Sequence, residues 1–114
     1  MAAVHLSPVV RNGDTVYTSG QLAFDESGVI SGDIAEQTTR VLRRIEALLT
    51  ENGLTLSDVG KTSVWLVRAE DFQAFNTAYA AAFGDHKPAR STVVSALTAP
   101  GALIEIEAIA WKQA

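Results

Sequence analysis

Between Asp33 and Asn52 the apolar residues Val41, Leu42, Ile45, Leu48 and Leu49 recur at helical spacing, while arginines and glutamates occupy the other face. A helix with one apolar stripe has to bury that stripe against a second layer. Its start reads as a capping box, with Asp33 accepting from first-turn amides and Glu36 reaching back. Gly53 supplies permissive backbone just past the end. A second helix is predicted over Asp71 to Phe83, with Phe72, Phe75, Tyr79 and Phe83 on one side and Gly84 after it. That aromatic stripe reads as core rather than as a cofactor pocket.

The remaining segments are rich in valine, isoleucine, threonine and aromatics, and read as strands over 9–11, 15–21, 59–67, 89–97 and 102–112. The order is strands, helix, strand, helix, strands. Pro100 and Gly101 suit the central positions of a type II turn, so the last two strands are expected to form an antiparallel hairpin. The fold class is therefore α/β of the α+β kind: a mixed, mainly antiparallel sheet with two helices on one face.

Side chains of equal parity share a strand face. One face of the expected hairpin carries Val93, Leu97, Ile104, Ile106, Ala108 and Ala110, suited to helix packing. The other carries Arg90, Thr92, Val94 and Ala96 against Leu103, Glu105, Glu107 and Ile109, joined from the preceding strand by Val59, Lys61, Trp65 and Val67. So much apolar area on a second face predicts an oligomer with the sheet inside.

With 114 residues, 47% of them apolar, the chain is expected to form a single domain over 1–114. It has no cysteine, which excludes disulfides, thiolate nucleophiles and zinc–thiolate sites. Neither an export signal at Met1 to Leu6 nor an apolar run of membrane-spanning length is visible, so a cytoplasmic protein that meets no membrane is expected. A net charge of −4 disfavours nucleic acid as a partner. The basic cluster Arg40, Arg43 and Arg44 reads as a solvated helix face balanced by Glu36, Glu46 and Glu51.

Among groups that could do chemistry, Arg90 stands out. In the expected hairpin it lies opposite Ile109, with Thr92 opposite Glu107 and Val94 opposite Glu105. Glu107 is then diagonal to Arg90, roughly 7–8 Å away, and Glu105 about 13 Å along. Two readings stay open: an ion pair of Arg90 with Glu107, or a guanidinium left free to grip a small carboxylate through two parallel hydrogen bonds. His5 and His86 have no second ligand at metal spacing and read as surface histidines; no metal site is expected. Ser19, Gly20 and Gln21 lack the serine-hydrolase elbow. Gly20 inside a strand predicts a close backbone approach, either by packing or by a ligand resting on bare amides. Asn12, Gly13 and Asp14 read as an ordinary turn, not a phosphate loop.

Several runs together resemble one family. They are Val16 to Gln21; Gln37, Thr38 and Leu42; Leu48 to Gly53; Asp58, Val59, Lys61 and Thr62; Asp71, Phe72, Asn76, Tyr79 and Phe83; Pro88 to Ser91; and Ile104 to Ala110. In order and spacing this is similar to the reactive intermediate deaminase (Rid) family, also called YjgF-like and often labelled L-PSP endoribonucleases. The resemblance implies a chorismate-mutase-like subunit in a homotrimer, with sheets facing inward and sites in clefts between neighbours. It implies hydrolytic deamination of 2-imino or 2-enamino acids to 2-keto acids and ammonia, without metal or organic cofactor. Arg90 would bind the substrate carboxylate, Glu105 would assist water, and backbone groups around Ser19, Gly20 and Thr92 would hold the ligand. Two departures are visible. Ser7, Pro8 and Val9 stand where deaminase members carry Gly, Pro and Tyr, and Thr92 replaces a frequent cysteine. The first leaves a non-catalytic, keto-acid-binding trimer as the alternative. Ribonuclease activity rests only on the family label, since the chain is acidic and lacks a paired histidine acid and base.

Overall fold

The computed structural model describes residues 4–113. Strands β1 (Val9–Asn12) and β2 (Thr15–Thr18) are followed by helix α1 (Ile34–Glu51), strand β3 (Val59–Leu66), helix α2 (Phe72–Phe83), and strands β4 (Ala89–Val94) and β5 (Ile104–Ala110). Short 3₁₀ turns, Leu56–Asp58 and Ala69–Asp71, precede β3 and α2.

Local chemistry accounts for the helix ends. Asp33 accepts from the Glu36 amide at 2.8 Å while the Glu36 carboxylate accepts from the Asp33 amide at 3.0 Å, closing the expected capping box. Gly53 and Gly84 take φ of +76° and +62° just past the two helices, a region that favours glycine. Arg40 donates to the Ser31 carbonyl at 3.1 Å, so this member of the basic cluster ties down the loop before α1 rather than merely facing solvent.

The sheet order is β1-β2-β5-β3-β4. This corrects the expected hairpin: β4 and β5 do not pair, because β3 lies between them. Helix α2 returns the chain so that β4 runs parallel to β3, and β5 is antiparallel to β3 on its other edge. The type II turn is present, with Gly101 at φ +83° and the Ala102 amide donating to the Ala99 carbonyl. It sits within a loop, residues 95–103, that carries the chain across the end of β3. That end is bonded on both sides: Ser95 donates to the Leu66 carbonyl at 2.8 Å and Val67 to the Leu103 carbonyl at 3.1 Å. The loop is pinned from α1 by the buried Gln37, which donates to the Gly32 and Gly101 carbonyls and accepts from the Leu103 amide.

Both helices cover one face of the sheet. Val41, Leu42, Ile45 and Leu49 of α1 and Phe75 of α2 meet Val16, Val59, Val64, Leu66, Ile104 and Ile106 in the core. The expected parity of β5 holds, with Ile104, Ile106, Ala108 and Ala110 buried. That of β4 is reversed. Thr62 of β3 is level with Arg90 on one side and Ala108 on the other, so Arg90 and Thr92 share the helix face while Val93 points to the open one. Val59 is also core, because a bulge between Val59 and Lys61 breaks the alternation at Gly60. A β-carbon on Gly60 would collide with the Trp111 ring. The open face carries Tyr17, Lys61, Trp65, Val93, Glu105, Glu107 and Ile109. No helix among the described residues is long and apolar enough to cross a membrane.

Candidate functional site

Arg90 extends from the edge strand β4 onto the aromatic stripe of α2. Its guanidinium carbon lies 5.8, 5.0 and 4.9 Å from the ring centres of Phe72, Phe75 and Tyr79. Among the described residues its side chain has no carboxylate or hydrogen-bond partner. The ion pair with Glu107 is therefore not formed within the chain. The parallel pairing of β4 with β3 has turned the two side chains to opposite faces. Beside Arg90 lies an open cleft of about 340 Å³, lined by Asn76, Tyr79, Phe83, His86 and Pro88. His86 is half-buried and bonded through Nε2 to the Val59 carbonyl at 2.6 Å, so it braces this wall rather than floating at the surface.

Glu105 occupies the other face, level with Trp65 across the β3–β5 pair. Its carboxyl is pushed above the ordinary glutamate range, first by burial and then by the charge of Glu107 two residues along the same face. The carboxylate rests on Gly20, where a β-carbon would collide with it. The expected close approach at Gly20 is seen, and what packs there is Glu105. Gln21 bridges to Ile106, its amide donating at 2.7 Å, which fixes this approach. Ser19 is tied to the segment before β1, its hydroxyl donating to the Ser7 carbonyl at 2.6 Å and its amide to Pro8 at 2.9 Å.

The five residues singled out from the sequence thus fall into two groups. Ser19, Gly20 and Glu105 converge, whereas Arg90 and Thr92 lie on the far side of the sheet. The Thr92 hydroxyl is hidden from solvent without a hydrogen-bond partner among the described residues. Asn76 was not singled out as a site residue, although it lines the cleft with Arg90. Its signal was available: it stands three residues before Tyr79 and seven before Phe83, a polar side chain set within an aromatic stripe.

Comparison with known proteins gives this divided site its context. The family model described as Endoribonuclease L-PSP matches residues 1–112. A RutC family protein of Pyrococcus abyssi is 41% identical over 109 residues, covering 94% of this chain and 86% of its own. The 3-aminoacrylate deaminase RutC of Acinetobacter baylyi is 39% identical, covering 90% and 83%. The 2-iminobutanoate/2-iminopropanoate deaminase of Salmonella typhimurium is 37% identical, covering 98% and 93%. Among solved structures, E. coli TdcF with bound serine superposes with a TM-score of 0.91 at 31% identity, covering 98% of this chain and 91% of that one. Imine and enamine deamination is thus represented among the chain's relatives. With the match running nearly end to end, the chain belongs to the Rid (YjgF-like) family, whose family model bears the description Endoribonuclease L-PSP.

Proposed function

We propose that this chain hydrolyses reactive 2-imino or 2-enamino acids to 2-keto acids and ammonia, in clefts completed between copies of the chain. The observation that carries the reading is Arg90: a half-buried guanidinium beside a cleft, with no carboxylate among the described residues to neutralise it. The substrates named for the deaminase relatives, and the serine bound to TdcF, all bear a carboxylate.

In this reading the substrate carboxylate takes two parallel hydrogen bonds from Arg90, which orients the imine carbon. An enamine protonated at carbon by solvent, or an imine protonated at nitrogen, presents the iminium. The water oxygen bonds to its carbon while Glu105 takes one water proton, giving a neutral carbinolamine. Glu105 returns that proton to the nitrogen, then takes the hydroxyl proton as the C–N bond breaks, releasing the ketone and ammonia, which recovers the proton from Glu105. A carboxyl raised above the usual range is a stronger base for this step than an ordinary glutamate. Since Arg90 and Glu105 occupy opposite faces of one sheet, the reading requires Glu105 from a second copy, as in the homotrimer the family resemblance implies.

The test is to generate 2-iminobutanoate in situ and follow its loss and ammonia release. Acceleration over buffer that vanishes in Arg90→Ala, with the assembly intact, is the expected result. No acceleration for any 2-imino or 2-enamino acid sinks the reading. A second reading has its own observation: the Ser7–Pro8–Val9 segment is held against Ser19 beside Gly20, and Val9 brings no phenol there. Saturable 2-keto acid binding without turnover, lost in Arg90→Ala, would make the chain a carboxylate-binding protein instead.

A further inference from the structure

Arg90 has an unusual mooring. An arginine held by a carboxylate through two parallel hydrogen bonds has used up donors that would grip a ligand. Here the guanidinium lies against aromatic faces, with Phe75 and Tyr79 both within about 5 Å and Phe72 beyond them. A ring attracts the cation through its face and brings no carboxylate or carbonyl oxygen to take up the N–H groups. The charge is held and the donors stay available.

The rings themselves are fixed. Phe75 is fully buried, and Tyr79 packs on it with ring centres 5.3 Å apart. The Tyr79 hydroxyl is bonded to the buried Thr62 hydroxyl at 2.7 Å. Thr62 is also the residue level with Arg90 across the β3–β4 pair. Arg90, Tyr79 and Thr62 therefore form a closed circuit: ring to cation, hydroxyl to hydroxyl, strand to strand. Burial keeps the Tyr79 phenol above its ordinary pKa despite Thr62 and Arg90, so the ring faces Arg90 as a neutral group.

We propose that Tyr79, anchored by Thr62 and backed by Phe75, is the positioning residue that holds Arg90 for carboxylate binding through the face of its ring. The proposal rests on the reading of Arg90 as the carboxylate clamp. It assigns the aromatic stripe of α2 a second task beyond filling the core. Because the interaction runs through the ring face, the electron density of the ring, rather than its shape or its hydroxyl, sets how firmly Arg90 is held.

The test uses the full chain and 2-oxobutanoate as probe, with affinity measured by calorimetry. Tyr79→Phe is compared with chains carrying 4-fluoro-, 3,5-difluoro- and pentafluorophenylalanine at position 79, each checked by thermal melting. Tyr79→Phe is expected to melt lower, having lost the Thr62 bond, and its affinity is the reference for the fluorinated rings. Successive fluorination is expected to weaken binding stepwise, to roughly tenfold for the pentafluoro ring, while melting temperatures stay close to that of Tyr79→Phe. Affinity unchanged across the series, in a protein whose wild type binds and whose Arg90→Ala variant does not, overturns the positioning role and leaves the clamp standing. Absence of binding by the wild type, or undiminished binding by Arg90→Ala, removes the clamp and the positioning role with it.

Discussion

Gly20 and Glu105 share one space: a β-carbon on Gly20 would fall inside the volume of the Glu105 carboxylate. The glycine is required by this approach and not by backbone conformation, since Gly20 is absent from the positive-φ glycines. Gly20→Ala should push aside the end of a flexible side chain, at a stability cost of about 1 kcal/mol. Displacing the proposed base should lower turnover about 100-fold. Urea unfolding and imine hydrolysis, measured on the same variant, check the two halves.

Glu105 itself predicts a pH dependence. In the unfolded chain its carboxyl titrates near the ordinary value of 4.5; in the folded chain it titrates higher. The unfolded state therefore gives up the proton first, and stability is lost as pH rises through 4.5 to the folded value. Below 4.5 the penalty is absent. Glu105→Gln should be more stable than the native chain at pH 7, with the difference closing as pH falls below 4.5. The same variant should lose on the order of 10²–10⁴ in turnover. Thermal melts across pH, beside activity at pH 7, test both.

Gln37 satisfies three backbone groups with one buried amide. Gln37→Leu leaves the Gly101 carbonyl and Leu103 amide without this partner and should cost about 3 kcal/mol. Chemical denaturation should show a lower midpoint with an unchanged slope.

Asp58 accepts from the Thr55 amide at 2.9 Å, pairs with Lys112 at 3.6 Å and meets the Gln113 amide at 3.4 Å. Asp58→Ala removes a cap and a tail anchor together and should cost about 1–2 kcal/mol. Trp111, held over Gly60, should move into water, and a red shift in its emission should report the release.

What could be read from the sequence divides along the range of the interactions. The Asp33–Glu36 box and the glycines after both helices depend on neighbours a few residues away, and they stand as expected. The turn at Pro100–Gly101 is local too and is present. Its consequence was not legible, because which strands pair is decided by α2 bringing β4 back beside β3, not by the turn. That one non-local fact moved Arg90 from the face of Glu105 to the face of Tyr79. The bulge at Gly60 likewise reversed Val59, since nothing local announces that Trp111 will need the space. Gly20 was legible as a close approach, but its partner lies 85 positions away in the sequence.

The strand order has a consequence for how the chain is made. Strands β1 and β2 form one piece and β3 with β4 another, and only β5 touches both. The last of these five strands to leave the ribosome is thus the middle of their sheet. Until residues 104–110 emerge, the two pieces have no common seam, and both edges that β5 will fill stay open to other chains. A product that stops short of residue 104 lacks the keystone of the sheet rather than a dispensable margin, and leaves two inner edges where the full chain has none.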